Sequence, residues 1–597
     1  MNTHTIPKIQ SPSHIKKALE LGKDYFLNSE ERVMAWFLAI GTIISVLGLV
    51  GLTAVFSWWT AGFWAALAAK DLALLITSMQ WFALIITGYV GVSALKNYLI
   101  ENLAIHWRTW LTQKLLTKYL YAENKYLDIN HLSEQLKHPG QRIQEDIKSF
   151  VSLTLTLSTD FLGSTLSLVT FIGTLWVTGG TLSFVILGAS ITIPGYLVWM
   201  ALIIAGSASA ITQLLGSSLA ELNHKGEGCE ADFREQMESL HNEAENIAQE
   251  RGEVYYKQSL SSKIQQIYSN SQQKNWVKTI LISFQNFYME LSNILPYLLA
   301  APLYFNGRIE LGQLMQIGFA FNVVNSSLGW FISSYEIQAA YKASLTRIIE
   351  LESALERNGL VSTQKSILVK EHELVDTIHI KNLNVARLSS TKLILKELNI
   401  RFNRGEHTLV KGPSGLGKST LFKAIAGNWK YGGGEIFVPS FSKVCFLSQI
   451  PSFPNDTLKA VLAYPKPVNT YTEEQYIDAL RAVNGMEHFI DKLDQKHTYS
   501  PGQKQRIAFA RALLIKPDWL FLDEATASLD TLSERHVYTL IKNQLKNTTF
   551  ISIAHRPTVD QFHKRIIHFA ADSNGEMSLQ NGVDNEKIEA INALRIN

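Results

Sequence analysis

Lysine, arginine, aspartate and glutamate are missing from four long stretches of this 597-residue chain: 33–69, 72–95, 161–220 and 311–335. A helix buried in a soluble core needs no such run, whereas about 20 apolar residues cross the roughly 30 Å of bilayer hydrocarbon. The missing charge therefore marks membrane-spanning segments. Cysteine is almost absent too: Cys229 and Cys445 stand alone, which excludes a disulfide framework and any metal-ligand spacing. The net charge of +3 over the whole chain neither points to a nucleic-acid partner nor excludes one. The first 32 residues carry Lys8, Lys16, Lys17, Lys23 and Arg32 but no short apolar core or cleavage-type end. A cleavable signal peptide is not expected, and the first spanning helix serves as its own insertion signal. There is no internal repeat and no low-complexity tract.

What is present divides the chain. Its length calls for more than one domain, and the pattern predicts a transmembrane domain over 33–342 after an N-terminal segment 1–32. A linker 343–371, a soluble α/β domain 372–572 and a polar tail 573–597 follow. Six membrane helices are predicted at 33–59, 72–95, 155–178, 190–216, 279–305 and 311–335, the third and fourth joined by a tight turn at Thr178-Gly-Gly-Thr181. The connections 96–148 and 221–278 are long and charged, and the first holds eight Lys or Arg. The three short connections carry only Lys70 and Arg308 as cations. The positive-inside rule then puts both termini, the long connections and the soluble domain in the cytoplasm. Charged turns near 125–142 and 236–250 are candidates for contact with the soluble domain.

Within that domain, Gly412-Pro413-Ser414-Gly415-Leu416-Gly417-Lys418-Ser419 fits G-x-x-x-x-G-K-[ST] and is followed by Thr420. Backbone N–H groups of such a loop wrap phosphate oxygens, Lys418 reaches the β- and γ-phosphates, and Ser419 ligates Mg²⁺. The helix beginning near Lys418 turns its positive dipole end to the same group. Trp519-Leu-Phe-Leu-Asp523-Glu524 reads as a buried strand ending in two carboxylates. Asp523 is the Mg²⁺ holder expected there, and Glu524 the general base or water-orienting group for attack on the γ-phosphate. His555 ends the apolar run Thr549–Ala554 and is placed to sense that phosphate; Gln449 follows a further strand and can contact Mg²⁺ or the attacking water. Asp530 of Ala527-Ser-Leu-Asp, a short helix before His555, is a further candidate nucleotide-binding residue. Tyr499-Ser500-Pro501-Gly502-Gln503 opens a helix with a hydroxyl and glycine amides, a second anion-binding end without a use in its own domain. One such end per chain implies a dimer with ATP sandwiched between two copies.

Ser500-Pro-Gly-Gln-Lys-Gln-Arg506 resembles the ABC signature, and the whole chain resembles ABC half-transporters. The branch it resembles is the one akin to peroxisomal acyl-CoA transporters and to the SbmA/BacA-like peptide and cobalamin transporters. Asp24-Tyr-Phe-Leu-Asn-Ser-Glu-Glu-Arg32, His138-Pro-Gly-Gln-Arg-Ile-Gln-Glu-Asp146, Glu230-Ala-Asp-Phe-Arg234 and Phe446-Leu-Ser-Gln-Ile-Pro-Ser-Phe-Pro454 carry that likeness. It implies an all-α six-helix transmembrane domain of exporter type followed by an α/β P-loop ABC ATPase domain, assembled as a homodimer in the bacterial inner membrane. Members of the branch move hydrophilic compounds, peptides, vitamin B12-like molecules or acyl-CoA esters, in either direction.

Three departures from the family pattern stand out. Val385-Ala-Arg387-Leu offers no aromatic for adenine, so Arg387 is the candidate to stack by its guanidinium plane. Tyr499 stands where Leu is usual, and Pro501 where Gly is common; Pro501 removes an amide donor but suits a first helical turn. In the membrane domain, Glu290 sits deep in the fifth predicted helix, where an ionised carboxylate marks a pathway or a pairing site. Pairing with another helix, proton coupling and substrate contact are the readings open for it. Asn286, Asn293, Asn322 and Asn325 suggest a polar cavity, although asparagines also join helices. The expected function is ATP-driven alternating-access transport, with ATP and Mg²⁺ as cofactors, lipid around the helices and a hydrophilic solute or peptide as cargo. Transport of acyl-CoA or another lipid-like substrate and an ATP-regulated channel or sensor are the alternatives. No nucleic-acid partner is expected, because soluble ABC ATPases that act on DNA or ribosomes lack spanning segments.

Overall fold

The computed structural model describes residues 14–121, 139–186, 189–356, 366–371, 376–387, 393–571 and 577–579. The chain forms two compact units, residues 1–120 with 134–354, and residues 355–597 with 121–133. The segment 125–138 of the first proposed coupling turn lies outside the described residues.

The first unit is helical. A short helix α1 (His14–Lys23) and a widened π-type turn precede α2 (Arg32–Ala68), α3 (Leu72–Tyr121), α4 (Ile147–Thr178), α5 (Tyr196–Gly216), α6 (Leu219–Asn242), α7 (Ala244–Glu250), α8 (Glu253–Phe305), α9 (Leu311–Ser333) and α10 (Tyr335–Glu356). Four described helical stretches, 32–68, 72–120, 139–178 and 196–242, are long and apolar enough to cross a membrane. The fifth and sixth predicted spans fall in α8 and α9, which are helical but interrupted by Asn286, Glu290, Asn293, Gln313, Gln316 and Asn322. Hydroxyls inside the apolar helices are satisfied locally: Thr42 donates to the Leu38 carbonyl at 2.8 Å and Thr170 to Leu166 at 2.8 Å. Each such bond keeps its hydroxyl from facing hydrocarbon unpaired.

The fourth predicted helix is corrected at its start. Residues Thr181–Ile186 and Ala189–Pro194 pair as an antiparallel hairpin, β1 and β2, and α5 begins only at Tyr196. The physical reason is local. This stretch is rich in Thr, Val and Ile, which favour strands, and Pro194 cannot donate to a helix interior. Gly195 has φ +60°, and a Cβ on it would lie 2.3 Å from the Trp176 ring, so only glycine fits between hairpin and helix.

Charge gathers at one end of this unit. Tyr25 is buried and stacks on Trp107 with centroids 5.7 Å apart, while Lys114 reaches Asp24 at 2.6 Å. Arg347 of α10 bonds Asp146 at 2.7 Å, and Arg142 bonds Glu350 at 2.8 Å, so two pairs of opposite polarity cross the same contact. Buried Glu352 lies 3.4 Å from Lys118, and 3.1 Å from Lys17 in an ionic contact off the hydrogen-bonding direction.

The second unit is built on a ten-stranded sheet. Its strands are β3 (Leu368–Glu371), β4 (Thr377–Ala386), β5 (Leu393–Asn403), β6 (Thr408–Lys411), β7 (Gly432–Val438), β8 (Val444–Leu447), β9 (Trp519–Asp523), β10 (Thr549–Ile553), β11 (Arg565–Ala571) and β12 (Met577–Leu579). They are ordered β3-β7-β4-β5-β12-β11-β6-β10-β9-β8. Strand β3 lies inside the segment read as linker and pairs with β7; β12 lies inside the segment read as tail and pairs with β11. The stretch β11-β6-β10-β9-β8 is wholly parallel. Leu409, Val410, Leu520, Phe521, Leu522, Phe550 and Ile551 within it are fully buried, as parallel strands covered on both faces must be. Helices α11 (Lys418–Ile425), α12 (Leu458–Ala463), α13 (Glu473–Ala482), α14 (Pro501–Ile515) and α15 (Thr531–Gln544) complete the unit.

Two imidazoles are trapped in this core. His563 pairs Nδ1 with the Val559 carbonyl and Nε2 with the Ser552 hydroxyl, each at 2.8 Å, and His407 stacks on Phe550 at 3.7 Å. Burial pushes both down to about 4. The unfolded chain takes up these protons near the ordinary value of about 6.5. Stability is therefore complete above that value and falls as the pH drops from it toward 4. For His563 the loss at pH 5 amounts to about 2 kcal/mol, and less for half-buried His407. Denaturant unfolding at pH 7 and pH 5 measures it, and His563→Phe flattens the dependence while lowering stability at pH 7.

Candidate active site

The residues named above lie far apart in sequence but emerge from neighbouring strands. Strands β6, β10, β9 and β8 are adjacent and parallel, with Val410 beside Ile553, Ile553 beside Asp523, and Leu522 beside Leu447. Their carboxyl ends form one edge of the sheet. From that edge emerge Gly412 after β6, His555 after β10, Asp523 and Glu524 at β9, and Gln449 after β8.

The phosphate-type loop runs from β6 into α11. Gly412, Gly415 and Gly417 all have positive φ, and a Cβ on Gly417 would come within 2.3 Å of Ile394. Pro413 and Ser414 are exposed at the loop's tip. Lys418 folds back over it, donating to the carbonyls of Gly412 at 2.9 Å and Pro413 at 2.7 Å. Burial pulls its ammonium below the ordinary value, against the opposing pull of Glu524 and Asp523. Ser419 donates to Asp523 at 2.8 Å. Burial raises the Asp523 carboxyl; the Ser419 bond opposes this, and the Glu524 charge adds to it. Thr420 follows in the first turn of α11.

Glu524 is the centre of the arrangement. Its backbone adopts φ +48°, uncommon without glycine, and its N–H donates to the Ile553 carbonyl at 3.0 Å. One carboxylate oxygen accepts Gln449 Nε2 at 2.9 Å; the other meets His555 Nε2 at 3.1 Å. Three strand ends thus hold one carboxylate beside the loop that Lys418 closes. Ser419 and Asp523 present hard oxygen donors of the kind Mg²⁺ takes. Among the described residues no three His, Cys, Asp or Glu gather to hold a metal by themselves, so such an ion would need phosphate or water oxygens as well.

Other candidates are placed differently. Asp530 caps α15, accepting Leu532 N–H at 3.0 Å, Ser533 N–H at 2.9 Å and the Ser533 hydroxyl at 2.7 Å, bonds that lower its pKa. Its carboxylate accepts these bonds at that helix start. Gln503 turns back onto the Ser500 N–H at 2.9 Å, and Ser500 Oγ accepts the Gln503 N–H at 3.3 Å, a reciprocal cap of α14. Among the described residues no hydrogen bond joins Ser500, Gly502 or Gln503 to the P-loop. Arg387 is exposed just beyond β4, where Trp429 Nε1 donates to the Ala386 carbonyl at 3.1 Å. In the helical unit Asn286, Glu290 and Asn293 share one exposed stripe of α8, spaced i, i+4, i+7, while half-buried Asn322 belongs to α9. Asn325 instead bonds Ser292 at 2.9 Å and accepts the Tyr288 hydroxyl, joining α9 to α8.

Gln505 enters the sequence reading only as part of the Ser500–Arg506 signature, with no role of its own, and the sequence gives little sign of Glu534, Thr526, Arg556 and Thr558, which brace this edge with it. Buried Glu534 accepts the hydroxyls of Thr526 at 2.7 Å and Thr558 at 2.6 Å, and Arg556 donates to the Leu529 carbonyl at 2.7 Å. Their only signal is a Glu on an otherwise ordinary helix.

Residues 21–305 match the profile of ABC transporter transmembrane region 2, and residues 395–527 that of the ABC transporter ATPase domain. The Escherichia coli inner membrane ABC transporter ATP-binding protein YddA is 31% identical over 91% of this chain and 96% of its own. The chain belongs to the ABC transporters. It has the half-transporter arrangement, a membrane region and an ATPase domain in one polypeptide, and couples ATP hydrolysis to transport. The human lysosomal cobalamin transporter ABCD4 is 24% identical over 86% of this chain and 88% of its own. A solved bacterial Atm1-family ABC exporter with ATP bound superposes with a TM-score of 0.71 at 18% identity, over 93% of this chain and 97% of that one. This likeness shows the ABC exporter fold.

Glu524→Gln keeps the bonds' geometry but removes the basic oxygen. It lowers the ATP turnover number by about 10²–10⁴-fold, with ATP binding retained. Lys418→Ala abolishes ATP binding itself. Equilibrium binding and steady-state hydrolysis on the same preparations separate the two effects.

Proposed function

We propose that this transporter works as a homodimer by alternating access and moves a hydrophilic solute, cobalamin-like or peptide, across the bacterial inner membrane. The observation that carries the polar cargo is the stripe of Asn286, Glu290 and Asn293 on α8. Hydrocarbon cannot cover a carboxylate at little cost, so a stripe of this kind suits a water-filled path. The name of the human relative, a cobalamin transporter, favours the same class. Six spans per chain, with both termini and the ATPase domain cytoplasmic, follow from the charge asymmetry of the connections.

Each ATP would lie between the Lys418 loop of one copy and the Ser500 helix start of the other. Bound Mg²⁺, held by Ser419 and Asp523 with Gln449 near, would offset phosphate charge during cleavage. Glu524 takes the proton of the attacking water; Gln449 and His555 hold its carboxylate in place. Arg387 supplies a planar cation for the base.

Reconstitution in liposomes tests this. Cobalamin, peptides and acyl-CoA are compared as stimulants of hydrolysis and as labelled cargo. A hydrophilic solute accumulates with ATP, and Glu290→Gln lowers its transport at least about tenfold while basal hydrolysis stays within about threefold. Stimulation by acyl-CoA alone would reverse the substrate assignment, and solute flux persisting in Glu524→Gln would replace the pump by a channel.

A further inference from the structure

Gln505 is 1% exposed, five residues beyond Ser500 on α14, and both ends of its amide are used. Its Nε2 donates to the Gln449 carbonyl at 2.9 Å, and its Oε1 accepts the Ser528 N–H at 2.9 Å. Gln449 is the residue whose side chain grips Glu524. Ser528 belongs to the turn after Glu524, where Ala527 N–H donates to the Glu524 carbonyl at 3.0 Å. One buried side chain therefore clasps both segments that flank the hydrolytic carboxylate.

The clasp sits on a rigid body. Ser500 and Gln503 cap the first turn of α14, and Gln505 lies in the second, so Ser500 cannot shift without carrying Gln505 with it. A buried amide bonded at both ends resists such displacement, because breaking either bond leaves a desolvated backbone group unpaired.

We propose that Gln505 is a positioning residue that makes the Gln449–Glu524 group of one copy answer to the nucleotide its Ser500 end meets on the second copy. The inference rests on the shared-nucleotide reading above. It predicts that loss of Gln505 harms two sites: the one in its own chain, through Gln449 and Ser528, and the one its Ser500 end completes.

Two full-length copies with different tags are co-expressed and heterodimers purified. A Glu524→Gln substitution in one copy leaves a single hydrolysing site. Gln505→Leu is then placed either in the hydrolysing copy or in the silenced one. Turnover falls at least about fivefold in both arrangements, with the KM for ATP within about threefold, since the Lys418 loop is untouched. Gln505→Glu is the second variant. It keeps an acceptor for Ser528 but loses the donor to Gln449 until protonated, so its turnover relative to wild type rises from pH 8 to pH 6. A fall confined to the hydrolysing copy makes Gln505 local and overturns the proposal, as does no fall in either arrangement or a Gln505→Glu ratio flat with pH. These failures leave the dimer standing. If wild-type protein is monomeric at full turnover and forms no heterodimer, the shared nucleotide falls first and the proposal with it.

Discussion

Covering a parallel sheet on both faces leaves its strands little room for unpartnered polar side chains except at their ends. In β6, β10 and β9 the residues Leu409, Val410, Phe550, Ile551, Leu520, Phe521 and Leu522 have no water contact, and the buried Ser552 is hydrogen-bonded to His563. A carboxylate placed among them would cost several kcal/mol in lost solvation, so the chain can change character only where a strand stops. Four adjacent strands stop along one edge, and there they release the Gly412 loop, His555, Asp523 with Glu524, and Gln449. The catalytic arrangement is thus a consequence of burial. Glu524 occupies the edge of β9, and the residues that steady it arrive from β8 and β10 because those are the strands beside β9.

The helical unit obeys the same cost from the other side. Charges are kept out of long stretches of α2, α3, α4 and α5 and collect instead around α1, the widened turn Arg142–Asp146 before α4, and α10. There Arg142–Glu350 and Arg347–Asp146 cross with opposite polarity, so sliding α10 against the turn would set like charges closer together. Arg142 and Asp146 are themselves buried, and parting either from its partner leaves an uncompensated charge, which is what makes such pairs specific in register even where they add little net stability. Asp160 of α4 and Glu290 of α8 are the carboxylates inside the predicted spans, and Glu290 sits on a face of α8 that its own protomer leaves uncovered.

Legibility in the sequence followed how local each signal is. The places of Gly417, Lys418, Asp523, Glu524 and His555 were readable because each stands in a contiguous motif, at a helix start for the first two and at or just past a strand end for the others. The helix-or-strand choice at 181–194 was not, since a short apolar run rich in β-branched residues fits a buried helix and a hairpin alike; Pro194 and Gly195 were the deciding residues. Asp530 and Gln503 also serve as short-range acceptors at helix starts, Asp530 from N–H groups two and three residues on and Gln503 from the Ser500 N–H three residues back. The bracing bonds of Gln505 and Glu534 were illegible for the opposite reason: their partners lie from 8 to 56 residues away, and only folding brings them within reach.

The Ser500 end itself is instructive about what a second copy could find there. The Gln503 N–H is spent on Ser500 Oγ and the Lys504 N–H on the Ser500 carbonyl, while Pro501 has none to give. Among the described residues, the first turn of α14 is left with the Gly502 N–H and the hydrogen of the Ser500 hydroxyl. Both donors lie at the positive end of a helix of 15 residues, where an anion is favoured. Gly502 is also the residue on which a Cβ would meet the Ser528 carbonyl at 3.3 Å, so the donor and the segment clasped by Gln505 are packed together. With so few donors, the strength of this end depends on aim more than on number. Aim is what a buried two-ended amide five residues along the same helix can fix.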